Sequence, residues 1–543
     1  MNIPAHLLIY LLWGDLMKKQ QSFITGAIIL TATALLVRMS GFLFRIYLSN
    51  TVGAQGMGIY SLIMSVYGLC TTIATSGISV AVSRLVAEQI SLGKPENANR
   101  VLVRSIWLSV ILGCSVGIIL FVVSEPVAVH ILGDKQTLLS IRILAPGLPF
   151  LSVSSCLRGY FIAYRKTGNP AFSQMLEQGF KIIFIVLLLP KLITYGLDYA
   201  CALIVLGLTL GEIVCFLYTF AGYLIMHKQN PIRKKAGIKG VTAQIFSIIV
   251  PISLASYIRS GLRLLENVII MNGLRTYSGA NDSATGIYGM LKGMAMPLLI
   301  FPLSLLSSFV ITLTPEISRL HVSGRKQTLE ATVGRILKYT CYAGVLIVCV
   351  FITFPREISL CIYNDEQVGE MLLMLSFLSP FMCLETVIVG ILQGLGEQSS
   401  SSRYNVVDCF LRIAIVCMLV PTHGVTGFLW MTGISNLFTS IMNIRRLLKV
   451  TAIDFHIKNW FIKPAIAAAA SSQLIRLWYL QGLSPIFSQQ ISLALGITAI
   501  CIAYFALLIV LDCIDLDEVL HILRRFNILP ERAAKYSSNE VYD

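Results

Sequence analysis

The chain has 543 residues, 56% of them hydrophobic and 13% charged, with a mean hydropathy of +0.78 and a formal net charge of +15. Soluble domains carry about 25% charged residues, so a soluble globule is excluded and lipid is the solvent for most of the chain. The positive excess does not describe a nucleic-acid surface either: most Lys and Arg stand in short segments between apolar runs, as at 228–239 and 445–463, where positive charge orients membrane helices.

At the N-terminus, Ile3 to Trp13 is apolar but too short to span a bilayer, and it lacks the basic flank of a cleavable signal peptide. Residues 1–21 are therefore expected to be a cytoplasmic N-terminus, with the start at Met1 or at Met17, directly before Lys18 and Lys19. Apolar windows of about 20 residues, enough to cross as a helix, follow. They begin near Phe23, Met57, Val101, Leu138, Phe172, Tyr199, Ala243, Ser283, Val333, Val368, Arg403, Gly424, Trp460 and Gln489. Barrel strands would alternate apolar and polar residues, and these runs do not. The expected fold is an all-α polytopic membrane protein with about 14 transmembrane helices: two parallel six-helix lobes and two C-terminal helices.

With the N-terminus inside, 28 Lys and Arg fall in cytoplasmic segments and four (Lys135, Lys191, Arg275 and Arg356) in outside loops, while ten lie at membrane depth or its margins. That bias predicts an even number of helices with both termini in the cytoplasm. An internal repeat runs at an offset of 231: Gly93 falls on Gly324, Arg104 on Arg335, Asp134 on Asp365, Gln136 on Gln367, Pro149 on Pro380, Phe150 on Phe381 and Gly159 on Gly390. The repeat predicts an N-lobe over 22–230 and a C-lobe, with its linker, over 231–450. Two further helices occupy 451–511, and a cytoplasmic amphipathic tail over 512–543 has Val519, Ile522, Leu523 and Phe526 at helical spacing. Parallel repeats are typical of secondary transporters, whose substrate site lies between lobes near the midplane.

Ionisable residues in lipid are costly, so each one needs a partner, a route to the headgroups or a function. Glu177 with Lys181, and Asp408 with Arg412 at the repeat-related positions, have the i, i+4 spacing of helical ion pairs. Arg142, Arg158 and Arg476 lie near helix ends, where a long side chain can snorkel. Arg38 and Arg45 are seven residues apart on one face of the first membrane helix, and no acidic residue occurs between Asp15 and Glu88. Arg259, Arg263 and Glu266 share a face of the seventh helix; Glu266 is expected to pair with Arg263, leaving Arg259 in excess. Lys292 follows in the eighth. These six residues, Arg38, Arg45, Arg259, Arg263, Glu266 and Lys292, are the candidate substrate-binding set. Their sign suits an anionic cargo such as a phosphate or pyrophosphate, which arginine grips in a bidentate way.

No Walker A sequence, dinucleotide glycine loop, GxSxG or HExxH motif occurs, and the thirteen cysteines are scattered without CxxC spacing. Neither an enzyme, a metal nor another cofactor is expected. The stretches Arg38-Met-Ser-Gly-Phe-Leu-Phe-Arg-Ile-Tyr47 and Val52-Gly-Ala-Gln-Gly-Met-Gly-Ile-Tyr60 resemble the opening of the stage V sporulation protein B group of the multidrug/oligosaccharidyl-lipid/polysaccharide flippase superfamily. Within that superfamily the lipid II flippases use cavity arginines. Arg38 matches the first; Arg45 stands one residue beyond the second, and Lys292, placed by its distance to Pro297, stands where the family has an arginine.

The resemblance implies an alternating-access flippase that moves a lipid-linked oligosaccharide or peptidoglycan precursor across the cytoplasmic (inner) membrane of a bacterium. The spore cortex or cell-wall polysaccharide would be its destination, and cell-wall synthesis proteins its possible partners. Two other classes stay open: a cation-coupled multidrug or toxin exporter of the same superfamily, which would favour cavity carboxylates, and an integral-membrane glycosyl or acyl transferase, which would need acids or His at a membrane face.

Overall fold

In lipid each backbone N–H and C=O must find its partner within the chain, and a helix is the element that satisfies both locally. The computed structural model describes residues 5–229, 240–451, 453, 458–483 and 487–514, with side chains from residue 31 onward apart from those of residues 229, 281, 282, 311, 312 and 483. Among the described residues there is no strand. The helices are α1 (Ala5–Thr75), α2 (Ile78–Ser91), α3 (Pro95–Val122), the single turn α4 (Ser124–Pro126), α5 (Leu138–Leu144), α6 (Leu148–Ala163), α7 (Gly168–Leu192), α8 (Leu197–Gln229), α9 (Val241–Ser278), α10 (Asn281–Tyr288), α11 (Met296–Val322), α12 (Lys326–Thr353), α13 (Pro355–Tyr363), α14 (Glu366–Ser376), α15 (Ser379–Gly394), α16 (Gln398–Val450), α17 (Lys463–Trp478) and α18 (Gln489–Val510). The tail helix expected beyond residue 514 and the basic linker at 230–239 lie outside the described residues, as do the side chains of residues 1–21.

The chain is a multi-pass membrane protein. By length and composition nine helices among the described residues can cross a membrane, ten when the bent pair α14 and α15 is taken as one span. The difference from fourteen windows has two causes. Helices α1 and α16 are each two helices joined without a loop, across Gly53 (φ 68°) and Gly424 (φ 54°), where a left-handed glycine turns the chain. Helices α7 and α17 are not among the nine, and α17 runs only 16 residues.

Two compact units divide the contacts. The first comprises residues 1–315 with 398–439, the second 316–397 with 440–543. In the first, Ile78, Val82 and Val86 of α2 are buried with Leu102 of α3, Phe161 of α6 and Ile245 of α9. Because lipid is as apolar as such a core, helix association rests on close packing and on polar contacts rather than on water exclusion. In the second unit, Tyr504 donates to the Tyr342 carbonyl (3.1 Å), the Tyr342 hydroxyl to the Cys513 carbonyl (3.0 Å), and Arg446 holds Glu397 at 2.7 Å.

The 231-residue offset recurs in the backbone. Helices α3 and α12 both run 28 residues and α6 and α15 both run 16, each pair in register at that offset. Asp134 accepts from the Gln136 amide and Asp365 from the Gln367 amide, both at 2.9 Å. A Cβ on Gly113 would stand 2.7 Å from the Cα of Pro149, and one on Gly344 2.7 Å from the Cα of Pro380.

Three expectations about charged residues are corrected. Glu177 lies against Arg158 (3.7 Å), while Lys181 stands over the Phe44 ring, 5.9 Å from its centre. Arg476 does not snorkel: it donates to Glu357 at 2.6 Å and to the Thr353 carbonyl at 3.1 Å. Glu266 pairs with Arg412 and not with Arg263. In each case the partner comes from another helix.

An arginine-lined polar cavity

The second segment of α1 ends in hydroxyl residues, and these meet α9. Ser260 donates to Thr72 Oγ1 (2.8 Å), Ser253 to the Ser76 carbonyl (2.9 Å) and Tyr257 to the Ile73 carbonyl (3.2 Å). Each of these bonds gives a hydroxyl a partner that lipid could not provide. They frame a cavity of about 310 Å³ lined by Thr72, Thr75, Ser76, Ser256, Ser260, Arg259 and Arg263. Its lining has two guanidinium groups, five hydroxyls and no carboxylate. Neither arginine forms an ion pair among the described residues, so an anion entering the cavity meets two guanidinium groups that no carboxylate neutralises.

One turn further along α9, Glu266 is buried and faces a second group of charges. Arg412 Nη1 lies 3.3 Å from Glu266, and its Nε lies 3.0 Å from Asp408 and 2.6 Å from the Ser435 hydroxyl. Ser435 in turn donates to the other oxygen of Asp408. Lys292 stands over the Phe428 ring, 5.0 Å from its centre, and Glu266, Arg412 and Arg263 are the charges that act on its ammonium. Three bases face two acids here, so the group keeps a positive excess although every carboxylate is engaged.

Lys292 sits in a π-helical segment, Gly289–Ala295, between α10 and α11. Such segments are wider than an α-helix and occur often at functional sites. Arg45 donates to the carbonyls of Lys292 (3.0 Å) and Gly293 (3.1 Å), tying the first segment of α1 to this segment. The second segment of α1 approaches so closely that only glycine fits: a Cβ on Gly289 would fall 1.8 Å from the Ala54 carbonyl, and one on Gly58 2.1 Å from that of Thr285. Gly289 and Gly293 form the small-xxx-small spacing that lets membrane helices touch backbone to backbone. Arg38 is held elsewhere on α1 by α11, donating to the Ser304 carbonyl (2.6 Å) and to the hydroxyls of Ser307 and Ser308. No described carboxylate pairs with it, so its charge is solvated by neutral dipoles.

The residues fit a model of the polysaccharide biosynthesis protein family over 23–321, just over half of the chain. The chain belongs to that family. Among curated relatives, stage V sporulation protein B of Bacillus subtilis (strain 168) is 25% identical over 521 residues, covering 94% of this chain and 98% of the relative. Lipid II flippase MurJ of the same organism is 24% identical over 451 residues, covering 78% of this chain and 82% of the relative. Among solved structures, lipid II flippase MurJ in an inward closed conformation shares the fold at a TM-score of 0.70 with 14% identity, over 89% of this chain and 98% of that one.

Of the six candidates, Arg259 and Arg263 line the cavity; Glu266 and Lys292 stand in the adjoining charge group, and Arg45 acts on the backbone of Lys292. Arg38 is placed on the serines of α11. Sequence reasoning missed Arg412 as a member of the second group, and Thr72, Thr75, Ser76, Ser256 and Ser260 as lining. The hydroxyls carried a signal: Thr72, Thr75 and Ser76 recur at three- and four-residue spacing, and Ser256 and Ser260 flank Arg259 on one helix face.

Proposed function

We propose that this chain is a flippase that moves a lipid-linked glycan precursor, of the lipid II type, across the cytoplasmic membrane of a bacterium by alternating access. The observation that carries the reading is the carboxylate-free cavity, in which Arg259 and Arg263 stand among five hydroxyls. A pyrophosphate offers acceptors for both guanidinium groups, and the sugar hydroxyls can bond to Thr and Ser. The positive group around Lys292 and Arg412 extends the attraction beyond the cavity itself. The kinship with stage V sporulation protein B and with MurJ, each matched over most of its length, supports the same cargo class.

The reading includes two six-helix lobes, at 22–230 and 231–450, and the two added helices at 451–511. Both termini are placed in the cytoplasm, and the precursor is destined for spore cortex or cell-wall polysaccharide, with cell-wall synthesis proteins as partners. The 28 to 4 division of basic residues supports the orientation. The deciding experiment is a translocation assay in proteoliposomes with a defined lipid-linked precursor. Arg259→Ala and Arg263→Ala proteins, reconstituted at equal levels, are expected to lose translocation; full activity in both would overturn the reading.

A further inference from the structure

The two repeats treat one equivalent helix face differently. In the second unit, α17 covers α12: Cys349 Sγ lies 3.4 Å from the Ala468 carbonyl, 3.4 Å from the Ser471 hydroxyl and 3.2 Å from that of Ser472. The Thr353 carbonyl, at the end of the same face, accepts from Arg476. At the offset of 231, Cys349 corresponds to Ile118 and Thr353 to Val122, on α3. There Ile118 is 65% exposed and Val122 71% exposed. The same face is a groove of about 350 Å³, floored by Cys114, Gly117, Ala145 and Pro149 and walled by Ile118 and Phe121. That volume is within the usual range of small-molecule sites, about 300–1,000 Å³.

The groove is apolar except at one point. Arg142 lines it, donates through Nε to the Ser124 hydroxyl at 3.2 Å, and pairs with no described carboxylate. Its repeat partner is Leu373, and Pro126 stands where the second repeat has Glu357, the acid that Arg476 engages. The first repeat thus presents an unneutralised cation beside an apolar trough, at the end of α3 that our topology reading places in the outer leaflet. An occupant must bring an anion and a hydrocarbon chain joined together. We propose that this groove is a binding site for an anionic glycerophospholipid, with its phosphate on Arg142 and an acyl chain along the trough where α17 would lie by analogy with the second repeat. The leaflet assignment rests on the proposed topology; the site itself does not depend on transport.

The test is lipid retention by the purified full-length protein, reconstituted in mixed phosphatidylglycerol and phosphatidylcholine nanodiscs and released for native mass spectrometry. The wild type is expected to keep phosphatidylglycerol in preference to phosphatidylcholine. Loss of the charge-assisted contact in Arg142→Gln should lower phosphatidylglycerol retention by about tenfold. Ile118→Trp, which fills the groove from an exposed position, should do the same, while Ile111→Trp, also exposed on α3, should not. Equal retention of the two lipids by the wild type, or undiminished retention by Arg142→Gln, would overturn the proposal. So would a polyprenyl pyrophosphate retained in place of phosphatidylglycerol, or a membrane protein that co-purifies stoichiometrically and is lost in Ile118→Trp. Because the readout is bound lipid, a failure here is separable from a failure of translocation.

Discussion

Arg412 of α16 reaches Glu266 of α9 at 3.3 Å while its Nε holds Asp408 of its own helix at 3.0 Å. One guanidinium therefore bridges two carboxylates that lie 142 positions apart in sequence. Removing one member of a buried pair costs more than the pair is worth, because the other charge is stranded, at about 3–5 kcal/mol. Arg412→Met should accordingly lower the thermal unfolding midpoint of the detergent-purified protein well below that of Glu266→Gln, which strands no charge of its own sign. Equal midpoints would show that the shared guanidinium does not hold the two helices.

The cavity arginines should separate transport from stability. Hydrogen bonds to charged groups are worth about 1.5–3 kcal/mol, and about 1.4 kcal/mol is tenfold in affinity. Arg259→Ala is expected to weaken binding of a polyprenyl pyrophosphate by about tenfold to a hundredfold, with the unfolding midpoint little changed. Arg259→Lys, which keeps the charge without the fork, should fall between the two. Equal affinity in wild type and alanine variant, read by titration calorimetry, would remove Arg259 from the site.

Backbone contact at Gly289 predicts intolerance of a single methyl group. A Cβ there would lie 1.8 Å from the Ala54 carbonyl, so Gly289→Ala must separate α1 from the π-helical segment. Overpacking of this kind costs about 1–3 kcal/mol, occasionally more. Gly68, also helical but with nothing within 4 Å of its Cβ position, is the control: Gly68→Ala should be neutral or stabilising by about 0.5–1 kcal/mol. Thermal midpoints that rank the two variants the other way would contradict the contact.

The related caps should behave alike. Asp134→Ala and Asp365→Ala each remove an acceptor from the amide two residues on, a loss of about 0.5–2 kcal/mol for a helix cap. Chemical denaturation of the two variants is expected to give similar losses, and a marked loss in one alone would show that the repeat has diverged at this turn.

Much of this was open to inspection in the chain itself. Apolar run length fixed the helical class, because lipid leaves the backbone no other economical arrangement, and the offset seen in Asp134 and Asp365 reappeared as paired caps and paired helix lengths. Partnership was less visible. Glu266 and Arg263 share a helix face, and spacing alone favours their pairing; the true partner, Arg412, is contributed by a helix that periodicity cannot bring near. The same holds for Glu177 with Arg158 and for Arg476 with Glu357. Lys292 was singled out by its charge, but the π-helical segment that carries it has no signature in composition, and the serines that hold Arg38 were hidden as ordinary small residues of a membrane helix.

The contact of Gly113 with Pro149, repeated by Gly344 with Pro380, bears on what the two repeats can vary. A junction that admits no side chain leaves only glycine, and both repeats have it there. Equivalent positions elsewhere carry different chemistry: Glu212 answers to Asn443, and Arg142 to Leu373. A backbone contact that recurs beside polar groups that do not gives each half its own surface to specialise.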